Sequence, residues 1–203
     1  EINTKTNSDP YTHTEDTDMN MKNSILVNKY YHLASDYAPD DIVEMSNWYS
    51  YPGNRIREEV YNAFIEMFNA AKEDGITLIV NSSYRTHDEQ EEIYNDYESS
   101  QGKAYADQYA ARPDYSEHQT GLALDIFTPG AGMANFEDTD AFRWLQENSY
   151  KYGFILRYPK GKEDITGYNY EAWHYRFLGK DLAKKVYNSG LTYDEYYAYY
   201  LEK

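Results

Sequence analysis

The sequence predicts an α+β domain, a small and mostly antiparallel sheet flanked by helices. Helical and strand-like stretches follow one another irregularly with long loops between them, which disfavours a doubly wound parallel sheet. Two short runs, Leu122–Phe127 and Ala172–Phe177, alternate with a period of two, as strands do. The 203 residues, 41% of them hydrophobic and 25 of them Tyr, are enough for one core and fall within the single-domain range.

Element by element, residues 1–23 are rich in Asn, Thr, Asp and Glu without apolar periodicity and read as a polar tail or surface wrap. Residues 24–203 then form the domain, beginning with an extended arm over 24–53 whose short apolar pieces (Ile25, Leu26, Val27; Ile42, Val43) are broken by Asp36, Pro39 and Asp40. Arg55 to Asp74 spaces Ile56, Val60, Phe64, Met67, Phe68 and Ala71 at helical steps and stops at Gly75. Ile76 to Val80 has the β-branched character of a buried strand. Thr86 and Glu89 form a capping-box pattern that starts a helix carrying Gln90, Ile93, Tyr94 and Tyr97, and a second helical piece covers Ala104 to Ala111. Leu122 to Phe127 is a strand with Asp125 on the face away from Leu122, Leu124 and Ile126. Thr139 to Tyr152 is a helix ended by Gly153, and Phe154 to Arg157 a strand. Ala172 to Phe177 places Trp173, Tyr175 and Phe177 on one side and His174 with Arg176 on the other. Lys180 to Asn188 and Thr192 to Leu201 close the chain as helices, the last with a Thr192/Glu195 capping box. Its tyrosines at 193, 196, 197, 199 and 200 read as packing residues in preference to a carbohydrate- or partner-facing surface.

Charge narrows the function. Nineteen Lys and Arg against 35 Asp and Glu leave a formal charge of −16, which opposes nucleic acid and anionic membranes. No apolar window is long enough for a membrane span. With no Cys, thiol nucleophiles and thiolate metal sites are excluded, so any zinc must be held by His and carboxylates. A chain that starts at Glu1 reads as processed or truncated, consistent with a removed signal peptide or anchor.

Of five histidines, His13, His32 and His87 lie in the tail, the arm and an exposed first helical turn, where solvated or capping roles suit them. His118 stands directly before the strand bearing Asp125, and His174 lies on the polar face of another strand. Two imidazoles and one carboxylate form a three-ligand set that leaves zinc a fourth position for water. Glu171, three residues before His174, is placed as general base toward that water, and Arg85 as a bidentate grip on a carboxylate or on developing oxyanion charge. Taken singly, each of these residues has an ordinary structural explanation. Jointly, Ser116-x-His118-x-x-Gly121-x-Ala123-x-Asp125 fixes five residue types, a pattern expected by chance in roughly one chain of this length in ten thousand.

These residues resemble the zinc D-alanyl-D-alanine carboxypeptidases of the VanY type, which trim peptidoglycan stem peptides and share a fold with the Hedgehog signalling domain. The resemblance extends through Leu26-Val27-Asn28-Lys29, Tyr37 to Asp41, Ser83-Tyr84-Arg85, Ser116 to Asp125, Thr166-Gly167-Tyr168 and Glu171 to Arg176. It implies that His118, Asp125 and His174 hold Zn2+, that Glu171 activates zinc-bound water, and that Arg85, Gln90 and Ser116 contact the C-terminal residue of the peptide. One departure is Ala172, where the family often carries Pro, which loosens the constraint on the turn presenting Glu171. The expected activity is removal of the C-terminal D-Ala from peptidoglycan stems by D-Ala-D-Ala cleavage, by a monomer at the bacterial cell surface or secreted. Competing readings are an L,D-carboxypeptidase acting on tetrapeptide stems, a non-catalytic metal-containing module that binds cell wall or a partner, and an endopeptidase. Retention of Glu171 argues against the binding module, because a structural zinc site has no need of a base.

Overall fold

The computed structural model of the chain describes residues 11–202; the first ten residues of the expected tail lie outside the described residues. Strand β1 (Glu15–Asp16) runs parallel to β2 (Tyr31–His32), so part of the expected tail is hydrogen-bonded to the arm. In the arm, β3 (Ile42–Glu44) pairs antiparallel with β4 (Arg55–Arg57), the register setting Val43 opposite Ile56. This pairing corrects the helix start: Arg55 to Arg57 are drawn into a ribbon, and helix α1 covers Glu58–Glu73. Its buried stripe of Val60, Phe64, Met67, Phe68 and Ala71 follows the expected helical spacing. Each fully buried large side chain there contributes about 1.5–3 kcal/mol of apolar transfer.

Gly75, at φ +78°, closes α1 by a Schellman turn in which Gly75 N–H donates to the Lys72 carbonyl at 3.0 Å and Ile76 N–H to that of Ala71 at 2.8 Å. Because the Ile76 donor is used in this turn, the next strand starts later than the apolar run suggests. Strand β5 is Ile79–Ser82, not Ile76 to Val80. Both halves of the Thr86 capping box form at the start of α2 (His87–Gln101), and α3 (Lys103–Tyr109) packs Ala106 against Tyr94. Strand β6 is Ala123–Phe127. The expected helix from Thr139 divides into α4 (Asp140–Asn148) and a tighter 3-10 turn, Ser149–Tyr152. Gly153 ends it at φ +95°, where a Cβ would lie 2.7 Å from the Phe177 ring. Strand β7 (Phe154–Tyr158), the short α5 (Glu163–Thr166), β8 (Glu171–Phe177), α6 (Lys180–Ser189) and α7 (Tyr193–Tyr200) complete the order.

The main sheet has strand order β5-β6-β8-β7 and is antiparallel throughout, as expected. Leu124, Ile126, Tyr175 and Phe177 join Phe64 and Met67 of α1 and Leu145 of α4 in the principal core. The register sets Asp125 opposite His174 and Ala123 opposite Arg176, gathering polar groups on the other face. That face is buried too, and Arg176 is fully enclosed. Its Nη2 donates to the carbonyls of Asn23 (2.8 Å) and Ile25 (2.7 Å), tying the arm to the sheet. A second cluster joins Leu26 to Ile155, Val186, Tyr193 and Tyr197, so packing accounts for part of the tyrosine-rich end; Tyr199 and Tyr200 are 54% and 65% exposed. Among the described residues, no helix is long and apolar enough to cross a membrane.

Candidate metal centre

Three chain segments converge on the polar face of β6 and β8. Ser116 caps the 3-10 turn Glu117–Thr120, its Oγ accepting the His118 N–H at 3.2 Å, and Gly121 at φ +67° returns the chain into β6. A Cβ on Gly121 would meet Arg57 at 2.7 Å, so the turn that carries His118 requires glycine twice over, for its backbone angle and for its space. Cross-strand pairing then brings Asp125 to His174. The result is a cluster in which donor atoms of His118, Asp125 and His174 lie within 4.8 Å of one another, all three residues buried.

The central atom is Oδ1 of Asp125. It stands 3.4 Å from His118 Nε2 and 3.4 Å from His174 Nδ1, and among the described residues it is the one buried side-chain polar atom without a hydrogen-bond partner. An orphaned carboxylate oxygen in the dry interior is costly, and a cation shared with the two imidazoles would satisfy it. The donor set, two nitrogens and one carboxylate oxygen, fits Zn2+ with a position left open.

Charge in the cluster tells the same story. Desolvation opposes ionisation of Asp125, but His118 and His174 outweigh it and hold the carboxyl well below the usual range. Burial and the nearby Arg85 lower His118, favouring the neutral form that a metal ligand would need. Burial also works against a charged His174, yet the facing carboxylates of Asp125 and Glu117 raise it to about 9. Without a cation, the positive charge that this pocket demands is a proton on His174.

Glu171 opens β8 opposite Tyr158, its Oε2 3.4 Å from His174 Nδ1, and burial pushes its carboxyl up to about 7. Being held by strand pairing, it does not depend on a rigid proline after it; Ala172 is buried in the sheet. Arg85 N–H bonds the His118 carbonyl at 3.1 Å, and its guanidinium is steered by Gln90 Oε1 and Ser82 Oγ, each at 3.0 Å. Arg85, Gln90, Ser116 and Glu171 all border one cleft of about 500 Å³ that His118, Asp125 and His174 also line. Every residue singled out in the sequence for chemistry is thus brought together. His13, His32 and His87 lie elsewhere, the last paired with Asp114 at 2.7 Å.

Sequence reasoning missed what lies beneath and beside the cluster. Glu117, Arg157 and Asp194 form a buried ionic network, and Tyr97, Tyr105 and Tyr109 extend the cleft wall from α2 and α3. An arginine inside the apolar run Phe154–Tyr158 was a usable signal, since a cation there must have a buried partner.

Residues 53–180 match the VanY family, described as D-alanyl-D-alanine carboxypeptidase. A D-alanyl-D-alanine carboxypeptidase of Enterococcus faecalis is 40% identical over 85% of this chain and 64% of its own length. The structure of the LdcB LD-carboxypeptidase superposes with a TM-score of 0.85 at 41% identity, covering 91% of this chain and 89% of that one. A vancomycin-resistance D,D-pentapeptidase VanY variant solved in complex with Zn(II) gives 0.74 at 38% identity, covering 86% and 98%. The chain spans between 59% and 66% of the length of the first three curated relatives it matches. These likenesses bear out the expected DD-peptidase-like fold.

Proposed function

The chain belongs to the VanY D-alanyl-D-alanine carboxypeptidase family, and from that premise we propose that it is a zinc-dependent carboxypeptidase removing the terminal D-Ala of peptidoglycan stem peptides. The observation that carries this reading is the orphaned Asp125 Oδ1 between two imidazole nitrogens, in a cleft that also holds Glu171 and Arg85. His118, Asp125 and His174 would hold Zn2+, which when bound polarises the scissile carbonyl and makes water acidic near neutral pH. Arg85 anchors the C-terminal carboxylate through its fork, with Gln90 and Ser82 fixing its plane and Ser116 bordering the same pocket. Glu171 takes a proton from the attacking water onto a carboxylate oxygen and passes it to the leaving nitrogen. The hydroxyl of water ends on the carbonyl carbon, the C–N bond breaks, and D-Ala departs as a free amine.

The D-Ala-D-Ala bond is the first choice of substrate. An L,D cut on tetrapeptide stems is the second reading, favoured by the likeness to LdcB. The site of action is outside the cytoplasm, where the polymer lies, and the protein works as a monomer. Incubating zinc-loaded protein with pentapeptide and tetrapeptide stems, with and without chelator, tests this: metal-dependent D-Ala release is expected, and the stem that yields it assigns the bond. No release from either stem overturns the proposal.

A further inference from the structure

Glu117 lies directly behind His174, shielded completely from solvent. Its two oxygens have different partners. Oε1 accepts from Arg157 Nε at 2.7 Å and from Arg176 Nη1 at 2.8 Å, while Oε2 stands 3.1 Å from His174 Nε2. Arg157 is held from its far side by Asp194 of α7, whose Oδ1 also accepts from Asn28 Nδ2 at 2.9 Å. A carboxylate paired with two guanidiniums is an acceptor only, so the ring nitrogen facing it carries the proton. In the neutral ring, the form that binds a metal, that leaves the lone pair of His174 on Nδ1, the atom 3.4 Å from Asp125 Oδ1. His118 is fixed the opposite way: its Nδ1 lies 2.7 Å from the Ser83 carbonyl, so Nε2 faces Asp125.

We propose that Glu117 is a positioning residue of the metal centre: paired with Arg157 and Arg176, it fixes the tautomer and ring plane of His174 so that Nδ1 is presented to the cation. The proposal rests on the metal reading above. It gives the C-terminal helix an indirect hold on the site, because Asp194 secures the arginine that secures Glu117. A carboxylate behind a ligating imidazole raises the basicity of the ring and restricts its rotation, and loss of such a partner typically weakens metal binding 10- to 100-fold.

The test uses the full chain and zinc alone as probe. Zinc affinity is measured by competition with a chromophoric chelator for the parent and for Glu117→Gln, and long-range 1H–15N spectra are recorded on 15N-histidine protein. The expected result is 10- to 100-fold weaker zinc binding by folded Glu117→Gln, with the parent showing a proton on His174 Nε2 and metal at Nδ1. A purely structural Glu117 would lower stability while leaving the zinc affinity of the folded fraction within two-fold of the parent, and that outcome overturns the proposal. Should the variant fail to fold, the parent spectrum decides alone: a proton on Nδ1 overturns the assignment. Should the parent take up no zinc, the metal reading falls separately, and the metal-free spectrum at pH 10 still decides for or against Nε2 as the protonated nitrogen.

Discussion

The two faces of the β6–β8 pair are held by different physics. Toward α1, Leu124, Ile126, Tyr175 and Phe177 meet Phe64 and Met67 in a core maintained by apolar area and shape. On the other side, Asp125, His174 and Arg176 lie among Glu117, Arg157 and Asp194, equally dry but held by charge. An apolar face loses energy gradually as atoms are removed, whereas an ionic face is balanced and fails when one partner goes. Placing the candidate ligands on the balanced face fixes their geometry, and the apolar face supplies the stability that this arrangement costs.

The largest separation between the faces is expected from Glu171→Ala. Turnover of stem peptide should fall by about 10²–10⁴-fold while zinc content, measured by metal analysis, is retained; near-normal turnover would remove Glu171 from the mechanism. Next comes stability. Arg157→Ala, which leaves Glu117 and Asp194 short of a counter-ion, should cost about 3–5 kcal/mol in urea unfolding. Met67→Ala on the apolar side should cost about 2–5 kcal/mol and leave kcat of the folded protein unchanged. A comparable kcat loss in Met67→Ala would erase the division of labour.

A third measurement concerns protons. In the metal-free protein His174 is raised to about 9, so below that pH zinc must displace its proton. Apparent zinc affinity should therefore climb as pH rises from 6 and level off near 9, with proton release visible by calorimetry in buffers of different ionisation enthalpy. A flat profile would contradict the assignment of His174 as the charge reservoir. The carboxyl of Glu117, opposed by burial but lowered by Arg157 and Arg176, adds the reverse dependence in stability: its contribution is present above its unfolded pKa and is lost as pH falls through the folded one. The smallest effect is Ile126→Val, about 0.5–1.5 kcal/mol with no change in either zinc affinity or turnover.

Much of the centre was legible because its residues sit close in sequence to signals that constrain them. Gly121 and the alternation of β6 place His118 and Asp125 within one short segment, and β8 shows its polar face in the spacing of His174 and Arg176. The ionic layer was not legible in the same way. Glu117, Arg157 and Asp194 are separated by tens of residues; Glu117 and Asp194 each resemble a surface charge, and although Arg157 stands out in its apolar run, nothing local names its partners until the sheet and α7 bring them together. The misplaced boundaries have a similar cause. Arg55 to Arg57 continue a helical spacing, and only their partner strand in the arm converts them to a ribbon; Ile76 is β-branched, yet the preceding glycine turn claims its N–H.

Arg176 carries a practical consequence. Two of the acceptors for its guanidinium are backbone carbonyls of Asn23 and Ile25, which no side-chain substitution can remove and no side-chain substitution can replace. A deletion that trims the gene past Ile25 would leave Arg176 Nη2 without its two acceptors in the dry interior, the guanidinium then being held only by Glu117 and the Phe177 carbonyl. Fusion partners, affinity tags and protease sites are therefore best joined ahead of this stretch, and limited digestion that nicks it should yield protein less stable than the parent.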